Sequence, residues 1–209
     1  MLFSNPHNPT GIVHPPDAVR ALADTLDPGT LLVVDEAYGE FVSLRWTAQP
    51  PAGHDGLLAV RSLSKAYGLA GARVGYAVGS PAVVAALDGA AMPFRLGAAS
   101  AAAADAAVTG DPASLTAALA AQAVRRDVLR DRLRGAGFAV PASGANFLLL
   151  AGPLATVGLW RRLEDAGVLT AFVPGVGIRL TITGPAEAAG IVDHICGEIA
   201  AEGAHDVRA

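Results

Sequence analysis

A chain of 209 residues with 52% hydrophobic and 16% charged residues can bury a core as one domain or two small ones. Its formal net charge of −4, with arginines scattered along the chain, argues against nucleic acid as a partner, and no stretch has the length and apolarity of a membrane span. The lone Cys196 excludes an internal disulfide framework and a cysteine-rich metal site, and the start carries no signal-peptide pattern, so a cytoplasmic protein is expected.

Met1-Leu2-Phe3 reads as the end of a short strand running straight into the turn-rich Asn5-Pro6-His7-Asn8-Pro9-Thr10-Gly11, so further sequence upstream is expected. Pro15-Pro16-Asp17 starts a helix through about residue 26, with proline where the first turn tolerates it, and Asp27-Pro28-Gly29 stops it. Residues 31–34 and 57–60 are continuous apolar runs of strand length, suited to parallel strands buried on both faces, and 73–78 is a third strand. Helices are expected at 81–87 and 98–107. This alternation predicts an α/β fold with a parallel-type sheet. One long helix follows at 113–134, with Leu115, Leu119, Val124, Leu129 and Leu133 as its apolar stripe and the Arg125 to Arg134 charge run as a solvated face. Strands at 138–140, 146–150 and 177–183, with helices at 154–166 and from 185 to about 201, make a smaller α/β unit. The expected division is 1–110, a partial large domain, and 111–209, a connecting helix with a small carboxy-terminal domain.

Lysine occurs once, as Lys65, against fourteen arginines. Ser62-Leu63-Ser64-Lys65 follows an apolar strand and so stands at its carboxyl end, where open α/β sheets bind ligands. A lysine buried there beside cationic neighbours can form a covalent imine with an aldehyde cofactor. Two hydroxyls and Arg73, eight residues on, suit a phosphate monoester. The competing reading is a polar loop with a surface lysine. Asp35, in Val33-Val34-Asp35-Glu36-Ala37-Tyr38, also follows a buried strand, where a carboxylate is costly unless it meets a cation. A protonated pyridine nitrogen is such a partner, and Tyr38 can donate its phenol proton to a ring oxygen. Strand-end acids also hold magnesium in nucleotide hydrolases, but the required glycine-rich phosphate loop is absent. The 5–11 loop fixes a sharp turn that would aim one amide inward, although alone it reads as an ordinary turn. His7 reads as a loop residue, since no second histidine stands at metal spacing.

In this order and spacing, and with Leu69-Ala70-Gly71-Ala72-Arg73-Val74-Gly75-Tyr76 following, these segments resemble the class I/II aminotransferases of pyridoxal-phosphate (PLP) fold type I. Within them the likeness is to the histidinol-phosphate aminotransferase branch, which includes related aromatic aminotransferases. Ser143-Gly144-Ala145-Asn146-Phe147 and Gly177-Ile178-Arg179-Leu180-Thr181 resemble that branch's later motifs, so the resemblance covers nearly the whole chain. It implies that Lys65 binds pyridoxal 5′-phosphate covalently and shuttles the proton at the substrate α-carbon. It places Asp35 at the pyridine nitrogen, Asn8 and Tyr38 at the ring 3-oxygen, and Ser62, Ser64 and Arg73 on the phosphate. Arg179 would clamp the substrate carboxylate, and Asn146 would shape the pocket. The implied reaction moves an amino group between an amino acid of histidinol-phosphate or aromatic type and a 2-oxo acid, in a homodimer.

The resemblance has gaps. Family members are longer at the amino end, where they carry a glycine-containing phosphate loop, an aromatic ring that stacks on the pyridine and residues that reach the partner's site. Thr170-Ala171-Phe172 stands where the branch has an arginine for the substrate phosphate, and Arg95 where it has asparagine. Two alternatives follow: a PLP-dependent threonine-phosphate-type decarboxylase of the same fold, and a truncated, non-catalytic remnant or dimerising module.

Overall fold

The computed structural model describes residues 1–44 and 56–206, with side chains to residue 200. It comprises two compact units, Met1–Asn8 with Ile12–Leu119 and Pro9–Gly11 with Ala120–Ala209.

The first unit is built on a sheet of four strands in the order β1 (Leu2–Ser4), β2 (Leu32–Asp35), β3 (Leu57–Ser62) and β4 (Gly75–Gly79). The first three run parallel, with Ser4 and Val60 both in register with Asp35. Parallel neighbours need a crossover, and between β1 and β2 it is helix α1 (Pro16–Asp24). Pro15 caps that helix and Pro16 opens it; at its end the Thr25 hydroxyl donates to the Leu22 carbonyl at 2.7 Å. Val19 and Ala23, one turn apart, pack on Leu32, Val34 and Leu57. Each of these larger side chains contributes about 1.5–3 kcal/mol by leaving water. The expected parallel sheet is corrected at β4, which runs antiparallel to β3 and sets Gly75 opposite Ser62. The intervening segment holds only a 3₁₀ turn, Ala70–Ala72, and no α-helix that could carry the chain back for a parallel partner. The sheet is therefore mixed.

Helices α2 (Pro81–Ala90) and α3 (Ala98–Thr109) follow, and neither buries a residue. Helix α4 (Pro112–Gly135) starts on Asp111, whose carboxylate accepts from the Ala113 and Ser114 N–H groups at 3.0 and 3.1 Å.

The second unit combines the later turns of α4 with β5 (Phe147–Leu150), α5 (Val157–Asp165), β6 (Ala171–Val173), β7 (Gly177–Thr181) and α6 (Pro185–Asp206). Its sheet is antiparallel throughout, in the order β5–β7–β6. The strand expected at 138–140 is only a bridge between Ala139 and Ala151, and β6 has no counterpart among the expected elements. Leu129, Leu133, Leu148, Leu159, Leu163 and Ile178 are among the residues of this unit's core. Of the stripe expected on α4, only Leu129 and Leu133 are buried, while Val124 is 67% exposed. The arginine run is not a purely solvated face. Arg126 is buried and donates to the Ala145 carbonyl at 3.2 Å, Arg125 to that of Thr183 at 3.0 Å and Arg134 to that of Val140 at 2.7 Å. Guanidinium donors here satisfy carbonyls that the short strands leave open. Gly11 belongs to this unit as well. Its carbonyl accepts from the Gly144 N–H, and a Cβ at its φ of 75° would run into Ser143 Oγ. Among the described residues no helix is long and apolar enough to cross a membrane.

Candidate active site

Three parallel strands ending side by side deliver three loops to one edge of the first sheet. Ser4 leads into the Asn5–Gly11 turn, Asp35 into Tyr38, and Ser62 into Lys65. The antiparallel return of β4 adds a fourth, since Gly75 opposite Ser62 brings Arg73 to the same edge.

Asn5 is fully buried, and its side chain closes the first loop by donating to the His14 carbonyl at 2.8 Å and accepting from the His14 N–H at 2.9 Å. The inward amide is thus that of Asn5, a scaffold for the loop on which Asn8 stands exposed. Asp35 is half-buried, and its Oδ1 accepts from the Ala37 N–H at 3.0 Å, which turns the chain away from the strand. The next residue, Tyr38, is buried, and Lys65 Nζ lies 5.6 Å from the centroid of its ring. Lys65 itself is exposed, not buried as expected, because the turn after Ser62 carries it clear of the last strand pairing.

The Ser64 N–H donates to Ser62 Oγ at 3.1 Å, which folds the two serines together. Arg73 reaches them: its Nη1 lies 3.4 Å from Ser64 Oγ and donates to the Ala70 carbonyl at 3.0 Å. Arg73 holds a left-handed backbone with φ 55°, uncommon for a residue with a side chain and a form of local strain that clusters at functional sites. The donor set fits a phosphorylated aldehyde: two hydroxyls and a guanidinium for the phosphate, an amine for the carbonyl carbon, and a strand-end carboxylate for a ring cation.

The other two candidates lie in the second unit. Arg179, on β7, stands 5.3 Å from the Phe147 ring centroid in a cation–π contact. Asn146 is half-buried at the start of β5, where its carbonyl accepts from the Ile182 N–H at 2.8 Å.

Sequence reasoning missed a buried ion cluster behind the first edge. Arg61 bonds Glu36 and Glu40, each at 3.0 Å, with all three side chains buried. Burial works against the Arg61 charge, but Glu40 and Glu36 more than reverse this and hold the guanidinium above its ordinary value. Nearby, burial above all, then Glu40 and Tyr76, pushes the Tyr67 phenol up, against a lowering by Arg61. An arginine inside an apolar strand was the available signal, because such a charge demands partners.

Comparison with known proteins identifies the family and the fold. The family profile for aminotransferase class I and II matches residues 1–195. The chain is 36% identical over 201 residues to an aromatic amino acid aminotransferase of Mycobacterium avium (strain 104), across 94% of this chain and 56% of that protein. It superposes with a TM-score of 0.84, at 30% identity, on the histidinol-phosphate aminotransferase of Sinorhizobium meliloti in complex with pyridoxal-5'-phosphate, covering 96% of this chain and 57% of that one. The L-threonine-O-3-phosphate decarboxylase of Porphyromonas gingivalis gives a TM-score of 0.76 at 25% identity, over 96% of this chain and 64% of that one. The chain thus spans little more than half the length of the first two relatives. Its mixed α/β architecture is that of the fold-type I aminotransferases. By sequence and by fold, the chain belongs to the class I and II aminotransferases.

Proposed function

We propose that this protein transfers an amino group between an amino acid and a 2-oxo acid, using pyridoxal 5′-phosphate held at Lys65. The observation that carries the reading is the placing of the chain's sole lysine: its amine lies over Tyr38, on the sheet edge that also presents Asp35, Ser62, Ser64 and Arg73. The cofactor, when bound, supplies a sink for the electron pair left at the substrate α-carbon. Lys65 would hold it covalently, and its amine would carry the proton at that carbon. Asp35 keeps the pyridine nitrogen protonated, Asn8 and Tyr38 hydrogen-bond the ring 3-oxygen, and Ser62, Ser64 and Arg73 bind the phosphate. Arg179 is assigned to the substrate carboxylate and Asn146 to the shape of the pocket, by resemblance of their motifs. Of the two donor types, an aromatic amino acid is favoured over histidinol phosphate, because Thr170-Ala171-Phe172 lacks the arginine expected for a second phosphate. The working form is a cytoplasmic homodimer.

Incubation with pyridoxal 5′-phosphate followed by borohydride should leave a phosphopyridoxyl mass on the Lys65 peptide. Label confined to the terminal amine would defeat the reading. The resemblance to the threonine-phosphate decarboxylase supports a second reading, amino-acid decarboxylation at the same lysine. Product analysis separates them: carbon dioxide release without a new amino acid favours decarboxylation.

A further inference from the structure

Arg61 sits in β3, four residues before Lys65, and is buried together with Glu36 and Glu40. Its Nε donates to Glu36 Oε2 and its Nη1 to Glu40 Oε1, each at 3.0 Å. Two carboxylates thus share one guanidinium away from water. Glu40 Oε2 has no hydrogen-bond partner among the described residues. Such a cluster rarely adds stability over apolar side chains of the same volume, because desolvation opposes the attraction; its best-attested use is to fix one arrangement of the chain.

The spacing indicates what is fixed. Glu36 and Glu40 flank Tyr38, two residues on each side, in a turn closed by the Gly39 N–H donating to the Glu36 carbonyl at 2.9 Å. Both ends of that turn are held by one planar, five-donor fork, and the strand that carries the fork continues into Lys65. Between them Tyr38 adopts φ −113° and ψ 8°, a sparsely populated backbone region, with its ring buried and 5.6 Å from the Lys65 amine.

We infer that Arg61 is a positioning residue: through Glu36 and Glu40 it sets the Tyr38 ring beneath the Lys65 amine. Its functional meaning rests on the reading of Lys65 and Tyr38 as cofactor ligands, but the geometry can be tested on the chain alone. Reductive methylation with ¹³C-formaldehyde labels Lys65 as the only side-chain amine, and Lys65→Arg identifies its signal beside that of the terminal amine. In the native chain the ring current of Tyr38 should displace the Lys65 methyl resonance upfield of its position in urea, and Tyr38→Leu should abolish the displacement.

Arg61→Met would leave two buried carboxylates facing one another, so Glu40 is the safer handle. Glu40→Ala removes one arm of the fork but leaves the neutral Arg61–Glu36 pair, and the upfield displacement should be lost. Glu40→Gln keeps an oxygen for Arg61 Nη1 and should preserve it. Val19→Ala, a truncation in the core of the same unit, should lower stability without moving the signal. The inference is overturned if Glu40→Ala keeps the native resonance, if Glu40→Gln loses it too, if Val19→Ala loses it, or if the native chain shows no displacement that depends on Tyr38. A chain that behaves as expected here but takes no phosphopyridoxyl label at Lys65 would sink the cofactor reading and leave the clamp standing.

Discussion

A methyl group at position 177 would collide with the Leu150 carbonyl on the neighbouring strand, and Gly177 holds a φ of 148° that side-chain-bearing residues rarely adopt. Gly177→Ala should therefore destabilise the second unit by about 2–3 kcal/mol, seen as a lower urea midpoint with an unchanged slope. A variant within about 0.5 kcal/mol of the native chain would show that β5 and β7 have room to yield. Gly177 lies in one of the motifs that carry the family likeness, yet its reason is a close backbone approach that no residue pattern displays. The site divides in the same way. The strand-end positions of Lys65, Asp35 and Tyr38 were legible because each follows an apolar run and a strand's carboxyl end is a local property, whereas the exposure of Lys65 was not. Arg61 was not, since its partners stand 25 and 21 residues upstream and meet it only through the pairing of β2 with β3. Asn5 looked like a turn former, and only the folded loop shows its amide bonded to the backbone of His14.

Helix starts depend on neighbours in sequence, and α4 gives one that responds to pH. The Ser114 hydroxyl, with the Ala113 and Ser114 N–H groups, holds the Asp111 carboxyl below its ordinary value. A depressed folded value stabilises above the unfolded pKa of about 3.9 and ceases to do so as pH falls through the folded value. Asp111→Ala should thus be less stable than the native chain at about pH 6, with the gap closing toward about pH 2, as urea titrations would read. A gap constant across that range would mean that the charge of the cap is irrelevant. Local signals of this kind mark other helix starts, Pro15 and Pro16 on α1 and the side chains of Ser80 and Thr156 on α2 and α5; the last of these sets the start of α5 at Val157, three residues later than expected. The direction of β4 was not legible from its own residues; it follows from the absence of a crossover helix before it. At three residues, β6 is too short for a period of two to declare itself.

At the scale of the whole chain, the sequence announced α2 and α3 but not where they would turn. A helix whose only polar side chains are Ser100, Asp105 and Thr109 has no preferred apolar face, so its pattern cannot say which side is covered. Both helices bury nothing, and the segment between them carries Met92 at 80% and Phe94 at 99% exposure. Apolar surface of that kind is what anilinonaphthalene sulfonate binds, and its fluorescence is ordinarily taken as the mark of loosened packing. On this chain the dye should glow at room temperature while far-ultraviolet circular dichroism shows native helix, and heating should add little further emission. Darkness with an intact dichroism spectrum would mean that something covers these helices in solution. Preparations ranked by low dye brightness alone would therefore lead an experimenter to discard the folded form as damaged.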